Sequence, residues 1–461
     1  MFSPCSRSLA IAMITMACGQ TRGEANRTTV IVNVNVIPMT ISQQIRPAQT
    51  VVIRNERFVE IGSTGTVSLP KGAIRIDGTG RYLVPGFVDA HIHFQQNESS
   101  NLAFAQLFVA NGITTVFNLY GSPMHLKLRD RIQRGETLGP RIFTSGPSLG
   151  TPHGRKPTET PGEIARAVAD QKQQGYDFIK LHGDLLDETY TQLLASARDH
   201  KIAMIGHAPR NLGTKPMFRE RQSAVAHMEE YLYAHLYFQR PMDSPSPLAS
   251  LEPTIRSLAV ATKDAGTAVI STLSVYRGIA EQIENLTQIL RRPEVGYVPY
   301  AVGEEWGWWP SNNNYVRRFP KDKIPFFRAH YREQEQLALE FQKAGVLILA
   351  GTDAPTAAVV PGFSFHDELK SLVDAGLTPH EALKTATANP ANFLGRLPDE
   401  GTIEEGKVAD CVLLKGNPLE SITNTRLIDG VCLRGRWISN AEITLMLNNI
   451  RRTVTKERRS H

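Results

Sequence analysis

The stretch Val84-Pro85-Gly86-Phe87-Val88-Asp89-Ala90-His91-Ile92-His93-Phe94 places two imidazoles on alternate residues of an apolar run. On a β-strand, residues i and i+2 face the same way, so His91 and His93 point in the same direction. Neutral imidazole is the commonest metal ligand in proteins, so a strand that ends in such a pair offers half of a metal site. The alternative is a pair of hydrogen-bonded histidines at a strand end. Ligand-type residues elsewhere in the chain decide between the two.

The composition is that of a globular, enzyme-sized protein. The 461 residues include 51 Lys and Arg against 45 Asp and Glu, and 41% of them are hydrophobic. These proportions do not suggest disorder, collagen or a multi-pass membrane protein. A basic tail contains Arg451, Arg452, Lys456, Arg458 and Arg459. We interpret it as a solvated, frayed terminus rather than as a nucleic-acid-binding segment.

Residues 1–26 are typical of an export signal. Arg7 precedes an apolar run, Leu9 to Ala17, that is too short to span a bilayer. Two processing sites remain open: a lipoprotein-type site at Cys18, which would add a lipid anchor, and ordinary cleavage after Ala25. Both alternatives predict an exported protein, either periplasmic or anchored to a membrane.

Strand patterns at the two ends of the mature chain predict a small β domain. The segments are Thr29–Val34, Thr50–Arg54, Ala409–Leu414 and Gly430–Gly435. Their β-rich alternation favours pairing of both ends into one β-sandwich, with the middle of the chain inserted. Cys411 and Cys432 lie in the later segments. We expect packed thiols rather than a disulfide, because two cysteines form no framework pattern.

The middle of the chain alternates short apolar strands with helical patterns, which is typical of βα units and a parallel sheet. Seven strand candidates follow the opening strand: Ile113–Asn118, Arg141–Ser145, Phe178–Leu181, Ala203–His207, Ala224–His227, Ala268–Thr272 and Val346–Ala350. The capping box Thr160-Pro161-Gly162-Glu163 and its repeat Thr378-Pro379-His380-Glu381 mark helix starts between them. Eight such units predict a TIM-type barrel, whose active site lies at the carboxyl ends of the strands.

We therefore predict an α/β protein with five segments: an export signal (1–26), the first part of a β-sandwich (27–84), a (β/α)8 barrel (85–398), the second part of the sandwich (399–440) and a basic tail (441–461).

Ligand-type side chains recur at the carboxyl ends of the predicted strands. They are Lys180, His207, His227 and Asp353. Each alone has a structural explanation: a packed histidine, a lysine that reaches solvent, or a helix cap before Pro355. Their joint placement favours one metal site, in which a buried lysine must be paired or neutralised. The histidines that do not share this placement are assigned to surface or packing roles: His182, His200, His235, His330, His380 and His461.

With these motifs, the chain resembles the amidohydrolase superfamily, and within it the metal-dependent Xaa-Pro dipeptidases and imidazolonepropionase-like hydrolases. The resemblance covers nearly the whole mature chain. It is carried by Pro85–His93, Lys180, His207, His227, Gly351-Thr352-Asp353, Glu368-Leu369, Ala375–Pro379 and Gly401–Asp410.

The resemblance implies a site for two divalent metal ions, zinc in most members. It implies that His91, His93 and Asp353 hold the more buried ion, and that His207 and His227 hold the other. Lys180, carboxylated by CO2, would bridge the two ions. Carboxylation would turn an unfavourable buried cation into an anion shared by two dications.

The expected chemistry is hydrolysis of an amide-type C–N bond. A hydroxide between two dications would be available near neutral pH, with Asp353 as general base and then general acid. The substrate is expected to be a dipeptide, an N-acyl amino acid or a related amide. One alternative is a hydrolase or deaminase of a cyclic C–N substrate. Another is a binding or structural barrel without catalysis, which the full set of ligand-type residues argues against.

Substrate contacts are assigned to four residues. His153, in a loop after the third strand, would polarise the substrate carbonyl, with an ordinary loop histidine as the alternative. Tyr231 or Arg277 would hold a substrate carboxylate. His366, after the last strand, would support the site indirectly. No nucleic-acid partner is expected, and self-association is left open.

A long insertion between the seventh and eighth strands contains Glu304–Pro310, with three of the four tryptophans. It is either a packing plug or an aromatic wall over the metals that favours substrates with a bulky apolar part.

Overall fold

The computed structural model describes residues 28–40, 44–152, 155–236 and 248–460. The β-strands within these residues are β1 (Thr28–Val36), β2 (Arg46–Arg54), β3 (Arg57–Ser63), β4 (Ile74–Asp77), β5 (Tyr82–Pro85), β6 (Phe87–Ile92), β7 (Ile113–Asn118), β8 (Arg141–Thr144), β9 (Phe178–Leu181), β10 (Ala203–Gly206), β11 (Ala224–Ala226), β12 (Ala268–Ile270), β13 (Ile348–Leu349), β14 (Cys411–Leu414), β15 (Ile428–Leu433) and β16 (Arg436–Ser439).

The α-helices of the same residues are α1 (Glu98–Ala110), α2 (Pro123–Gln133), α3 (Pro161–Gln173), α4 (Asp187–Asp199), α5 (Thr214–Arg219), α6 (Leu248–Ala265), α7 (Leu273–Leu290), α8 (Tyr300–Glu305), α9 (Asn314–Arg318), α10 (Ile324–Ala344), α11 (Phe363–Asp374), α12 (Pro379–Thr385), α13 (Ala388–Phe393) and α14 (Asn440–Arg458). Shorter helical turns lie at Leu232–Leu236, Pro293–Tyr297, Lys321–Lys323 and Ile422–Arg426. None of the helices in the described ranges is both long enough and apolar enough to cross a membrane.

The two ends of the chain share one mixed sheet. Its strand order is β16-β15-β14-β5-β1-β2-β3, with β4 also paired to β1. The expected pairing of the ends is present, since β14 runs antiparallel to β5. The expected sandwich is corrected in one respect: these strands form a single hydrogen-bonded sheet, not two separate ones. Cys411 lies opposite Cys432, and both are buried, free thiols.

The middle of the chain forms eight parallel strands in two sheets, β6-β7-β8 and β13-β12-β11-β10-β9. The sheets meet at two junctions. At one, the Ala90 amide donates to the Ala350 carbonyl at 2.9 Å, and Ile92 bridges Ala354. At the other, Ser145 bridges Phe178. The result is an α/β, TIM-like arrangement whose two sheets are joined by single bridges rather than by continuous pairing.

The interior between these strands is filled with apolar side chains. Val88, Phe117, Phe178, Ile205 and Leu349 are buried together in one cluster. Such packing leaves no central pore, so functional side chains can collect only at the strand ends.

Helix boundaries follow the local signals. Thr160 with Glu163 and Thr378 with Glu381 form the predicted capping boxes of α3 and α12, and each helix has Pro in its first turn. These boxes satisfy amide groups that would otherwise lack a partner at the helix start.

The basic tail is helical, and the expectation of a frayed terminus is wrong. Residues 440–458 form α14, which Ser439 and Glu442 cap at its start. Ile443, Met446, Ile450 and Val454 are buried along one face of the helix. This apolar spacing is that of a docked amphipathic helix, and the high charge of the tail concealed it.

Candidate metal centre

The candidate ligands lie at the carboxyl ends of the barrel strands. His93 directly follows β6, His207 directly follows β10 and His227 directly follows β11. Lys180 lies within β9, and Asp353 lies in the turn after β13. The common direction of parallel strands brings these positions together.

His91, His93 and Asp353 form a compact donor group. Nε2 of His91 lies 3.2 Å from Nε2 of His93. Oδ1 of Asp353 lies 3.1 Å from the first nitrogen and 2.7 Å from the second. Donors about 2.1 Å from a common ion are held about 3 Å apart, so the spacing fits one metal ion. Within the described residues, this is the group of ligand atoms close enough together to share a cation.

His207 and His227 border that group. Their ring centroids are 5.0 Å apart, and the His227 ring lies 4.6 Å from the His91 ring. Nδ1 of His207 lies 3.3 Å from Oε1 of Glu230, and Nδ1 of His227 lies 2.9 Å from Oγ1 of Thr272. A histidine whose Nδ1 is held in this way presents Nε2 as the ligand atom.

Lys180 is buried beside the donor group, with Nζ 3.5 Å from Nε2 of His91. Burial lowers the pKa of this lysine to about 8, although the charges of Asp353, Glu230 and Glu229 oppose the shift. A buried ammonium is therefore only partly compensated here.

The electrostatics of the site favour neutral imidazoles and an ionised Asp353. Burial, and then neighbouring positive groups, lower the pKa values of His91 and His207. Burial also lowers the pKa of His227, to about 3, against the opposing effect of Asp353. Burial alone would raise the pKa of Asp353. The electrostatic interaction with His227 and a hydrogen bond with His93 nevertheless bring it below its usual value.

Three residues at the site have left-handed backbone conformations. The φ angles are 84° at His227, 47° at Thr272 and 60° at Asp353. Such angles are costly for residues with a side chain and persist only where surrounding contacts enforce them. The three residues follow the ends of β11, β12 and β13 by one, two and four residues, so the strained turns re-aim the side chains beyond the strand ends.

Asp89 is one of the groups that enforce this geometry. Its buried carboxylate accepts hydrogen bonds from the Thr352 amide at 3.0 Å, the Thr352 hydroxyl at 2.7 Å and the His91 amide at 3.2 Å. Burial raises the pKa of Asp89 to about 8, although these hydrogen bonds oppose the shift. The contacts tie the strand that carries His91 to the turn that carries Asp353.

Glu368 stabilises the turn at Thr272 in the same way. It accepts hydrogen bonds from the Ser271 hydroxyl at 2.5 Å and from the Leu273 and Ser274 amides at 3.0 and 2.7 Å. Its carboxylate thus caps the start of α7, where the helix dipole favours negative charge. Thr272, held in between, contacts His227.

An ion pair next to the second histidine pair was not predicted. Nε of Arg210 lies 3.2 and 3.0 Å from the two carboxylate oxygens of Glu230, which also contacts His207. The Arg210 guanidinium lies 4.1 Å from the centroid of the Tyr233 ring. Arg210 and Glu230 each follow a predicted ligand histidine by three residues, a repeated spacing that could have identified them.

Two tryptophans of the insertion lie in different surroundings. Trp306 stacks on His93 with a centroid distance of 5.2 Å and donates to Oε1 of Gln95 at 2.8 Å. Tyr120, which is 41% exposed, lies edge-on to both rings. We call Tyr120 and Trp306 the aromatic wall. Trp308, in contrast, is fully buried and donates to the Pro355 carbonyl at 2.8 Å, so it is a packing residue.

Two predicted substrate contacts lie elsewhere. Tyr231 is buried in the core, with its ring 4.8 Å from that of Phe341 and its hydroxyl 3.3 Å from the Thr262 hydroxyl. Arg277 lies near Asp367 and Glu281, at 3.5 Å from each. One side chain turns into the core and the other pairs with carboxylates of the protein itself, and their roles in substrate binding stay predictions.

The remaining histidines also differ from expectation. His366 lies on α11 with Nδ1 3.0 Å from the Thr425 hydroxyl, so it packs α11 against the turn at Ile422–Arg426, and its indirect role at the site stays a prediction. His182, assigned to the surface or packing, is exposed, but its ring lies 4.5 Å from that of His207. His153 lies outside the described residues.

The chain is similar to several known proteins. Residues 82–241 and 305–438 match the model of the amidohydrolase family. An adenine deaminase of Rubrobacter xylanophilus is 26% identical over 203 residues, which are 40% of this chain and 32% of that protein. An ochratoxinase of Aspergillus niger is 44% identical over 82 residues, which are 17% of this chain and 16% of that protein. These matches span a third or less of the length of either relative.

A solved structure of a Xaa-Pro dipeptidase with bound methionine has a TM-score of 0.67 at 21% identity. The alignment covers 90% of this chain and 100% of that one. At this level of identity the likeness is one of fold.

Proposed function

Because the chain belongs to the amidohydrolase family, we propose that it is a metal-dependent hydrolase of an amide-type C–N bond in a dipeptide, an N-acyl amino acid or a related amide. Family membership supports a hydrolase that acts on carbon–nitrogen bonds. The observation that carries the proposal furthest is the donor group of His91, His93 and Asp353, whose ligand atoms are 2.7 to 3.2 Å apart.

The donor set suits two divalent ions. The residues that would hold them are His91, His93 and Asp353 for the first ion, His207 and His227 for the second, and carboxylated Lys180 between them. Imidazole and carboxylate ligands of this kind are those of zinc sites.

Carboxylation of Lys180 would resolve the cost of burying it. Because burial lowers the pKa of Lys180 to about 8, a fraction of the side chain is the neutral amine that reacts with CO2. The carbamate formed is an anion, and two cations would stabilise it better than the distant carboxylates stabilise an ammonium.

Asp353 is the proposed proton carrier. When bound, the two cations would acidify a water molecule and polarise the scissile carbonyl. Asp353 would accept a proton from that water and deliver it to the leaving nitrogen. Its pKa lies below the usual value despite burial, because of His227 and His93, so the carboxyl group is ionised at neutral pH.

The aromatic wall favours a substrate with a bulky apolar or aromatic part. Trp306 stacks directly on the proposed ligand His93, so a substrate held at the metals would lie beside its indole ring. The fold likeness to a Xaa-Pro dipeptidase is consistent with an acyclic amide. The similarity to adenine deaminases supports the second candidate, a hydrolase or deaminase of a cyclic C–N substrate.

We further propose export to the periplasm or to a membrane anchor, on the basis of the signal-like residues 1–26. The finer architecture we propose is a closed (β/α)8 barrel carrying a β domain built from both chain ends.

A substrate screen tests the proposed function. The zinc-loaded protein would be incubated with N-acetylphenylalanine, N-acetylalanine, Phe-Ala and adenine, with release of amino acid or ammonia as the readout. We expect release of amino acid from the acyclic amides, which the matched Asp353→Asn protein does not produce. Ammonia release from adenine without hydrolysis of any acyclic amide would favour the second candidate instead.

A further inference from the structure

The basic helix α14 docks onto the insertion that contains Trp306 of the aromatic wall. Nη2 of Arg458 donates to the carbonyls of Val295 and Val298 at 2.7 and 2.5 Å, and Nε donates to Val298 at 3.1 Å. These carbonyls belong to the turn Pro293–Tyr297 and to the residue that follows it. The guanidinium therefore holds backbone oxygens that lie just before α8.

Arg451 makes a second contact at this junction between α14 and the turn Pro293–Tyr297. Nη2 of Arg451 donates to the Pro293 carbonyl at 2.8 Å, and its guanidinium lies 4.6 Å from the centroid of the Tyr297 ring. Tyr297 in turn stacks on Phe363 at 5.1 Å. Two arginines of α14, about two helical turns apart, thus hold one short segment.

Helix α8 connects this junction to Trp306 of the aromatic wall. The Arg458 guanidinium lies 5.0 Å from the centroid of the Trp309 ring, and Trp309 stacks on Tyr300 at 5.5 Å. The indole packs so closely on Gly303 that a Cβ there would lie 2.3 Å from it. Tyr300 and Gly303 belong to α8, and the next residue after α8 is Trp306, whose amide donates to Val302 at 3.0 Å.

Both partners of this junction lie largely outside the part of the chain that matches the family model. Residues 242–304 and those after 438 fall outside the stretches that match the family model. The arginines that dock the helix are engaged with backbone carbonyls and aromatic rings, which leaves no reason to assign them to a nucleic acid or a membrane surface.

We propose that α14 sets substrate selectivity by holding α8 so that Trp306 stays stacked on His93, with Arg458 as the positioning residue. The part of this inference that concerns selectivity rests on the proposed function. The structural part, the dependence of the Trp306 position on Arg458, does not.

The structural part is tested by fluorine NMR of the protein labelled with 5-fluorotryptophan. Trp306→Phe assigns the Trp306 resonance, and Trp437, in the terminal sheet, serves as the reference for an intact fold. We expect Arg458→Ala to shift or broaden the Trp306 resonance, which Arg458 does not touch, without changing that of Trp437. Arg452→Ala is the matched control, since Arg452 is exposed on the same helix and bonds Asn449 of that helix.

An unchanged Trp306 resonance in Arg458→Ala overturns the inference. If that variant does not fold, Arg458→Lys takes its place, because lysine keeps the charge but cannot bond both carbonyls in the same geometry. A Trp306 signal that moves equally in the Arg452→Ala control also overturns it.

The selectivity part is tested by the ratio of kcat/KM for N-acetylphenylalanine to that for N-acetylalanine. Arg458→Ala and Trp306→Ala are each expected to lower this ratio about five- to tenfold, the size of a lost aromatic contact, mainly through KM for the phenylalanine substrate. The double variant is expected to show no further drop, because both changes remove the same contact. Additive losses, or an unchanged ratio in Arg458→Ala, contradict the inference. Absence of turnover in the wild-type protein refutes the proposed function and leaves the NMR result to decide the positioning role.

Discussion

Both ends of the barrel bury charged side chains, but they balance the charges differently. At the amino ends of the strands, Arg141 is paired with Glu400 and lies 3.4 Å from Asp410, and Arg129 lies 3.0 Å from Asp177. Each of these cations is paired with a carboxylate of the protein, so the charges at this end are compensated without a bound group.

At the carboxyl ends, the positive and proton-accepting groups outnumber the nearby anions. His91, His93, His227 and Lys180 lie around the carboxylate of Asp353, and the next carboxylates, Glu229 and Glu230, only partly offset the burial of Lys180. Nδ1 of His91 and Nδ1 of His93 are buried without a hydrogen-bond partner among the described residues. At the amino ends, charges that are paired within the protein hold its segments together. At the carboxyl ends, the incompletely compensated set of side chains indicates a bound group. Variants at the two ends of the strands are therefore expected to behave differently.

The largest effect is expected for Asp353→Asn. The amide keeps the size of the side chain but cannot act as a base, so the turnover rate should fall by roughly 10²–10⁴-fold. Steady-state kinetics and metal analysis on the same preparation provide the measurement and its control, because loss of the anion could also empty the site. A fully metallated variant that turns over within a few-fold of wild type would show that another group carries the proton.

Glu230→Gln is expected to weaken binding of one metal ion by roughly 10–100-fold. The carboxylate orients His207 and pairs with Arg210, and its loss leaves the arginine charge uncompensated. Competition with a chromogenic chelator measures the affinity of each ion. Unchanged affinities for both ions would remove Glu230 from the account of the site.

Arg141→Gln tests the opposite end. Glu400 and Asp410 would lose a buried partner, which is expected to cost about 3 kcal/mol in the free energy of unfolding. Metal content and kcat at 25 °C should remain those of wild type, because the pair lies at the other end of the strands. Urea unfolding together with metal analysis checks both statements, and metal loss without destabilisation would break the distinction between the two ends.

The smallest effect concerns His366, which packs α11 against the turn at Ile422–Arg426. Burial lowers the pKa of His366 to about 3, so the folded protein keeps it neutral while the unfolded chain protonates below about pH 6.5. The unfolded state therefore binds more protons between these values, and the stabilising contribution is lost as the pH falls from 6.5 towards 3.

His366→Gln should flatten this part of the stability curve and leave activity at pH 7 unchanged. Urea midpoints at pH 7, 5 and 4 give the slope for both proteins. An identical slope in the variant, or lost activity at pH 7, would contradict the structural role assigned to His366.

The strands and the positions of the metal-type residues were predictable, because they follow from local sequence patterns. The strands β7 and β9 have the predicted bounds, and β10, β11 and β12 end one or two residues earlier than predicted. The difference has a physical reason, since His227 and Thr272 adopt left-handed conformations that a periodic apolar pattern does not reveal. The positions of the metal-type residues followed from the same strand ends.

Contacts between distant segments were not predictable in this way. Glu368 holds a turn 95 residues earlier through its hydrogen bond to the Leu273 amide. The docking of α14 on the insertion depends on carbonyls more than 150 residues away. The direction of the Tyr231 side chain was not predictable for the same reason, because it depends on contacts with Phe341 of α10 and Thr262 of α6.

The most direct test of the central claim is metal stoichiometry after chelation and reconstitution with zinc. Elemental analysis of the wild-type protein should give close to two ions per chain. Lys180→Ala should lose most of one or both ions, and His91→Ala and His207→Ala should each lose metal and most activity while remaining folded. Wild-type metal content in Lys180→Ala and His91→Ala, or a wild-type protein that binds no zinc, would contradict a two-metal site at the carboxyl ends of the strands.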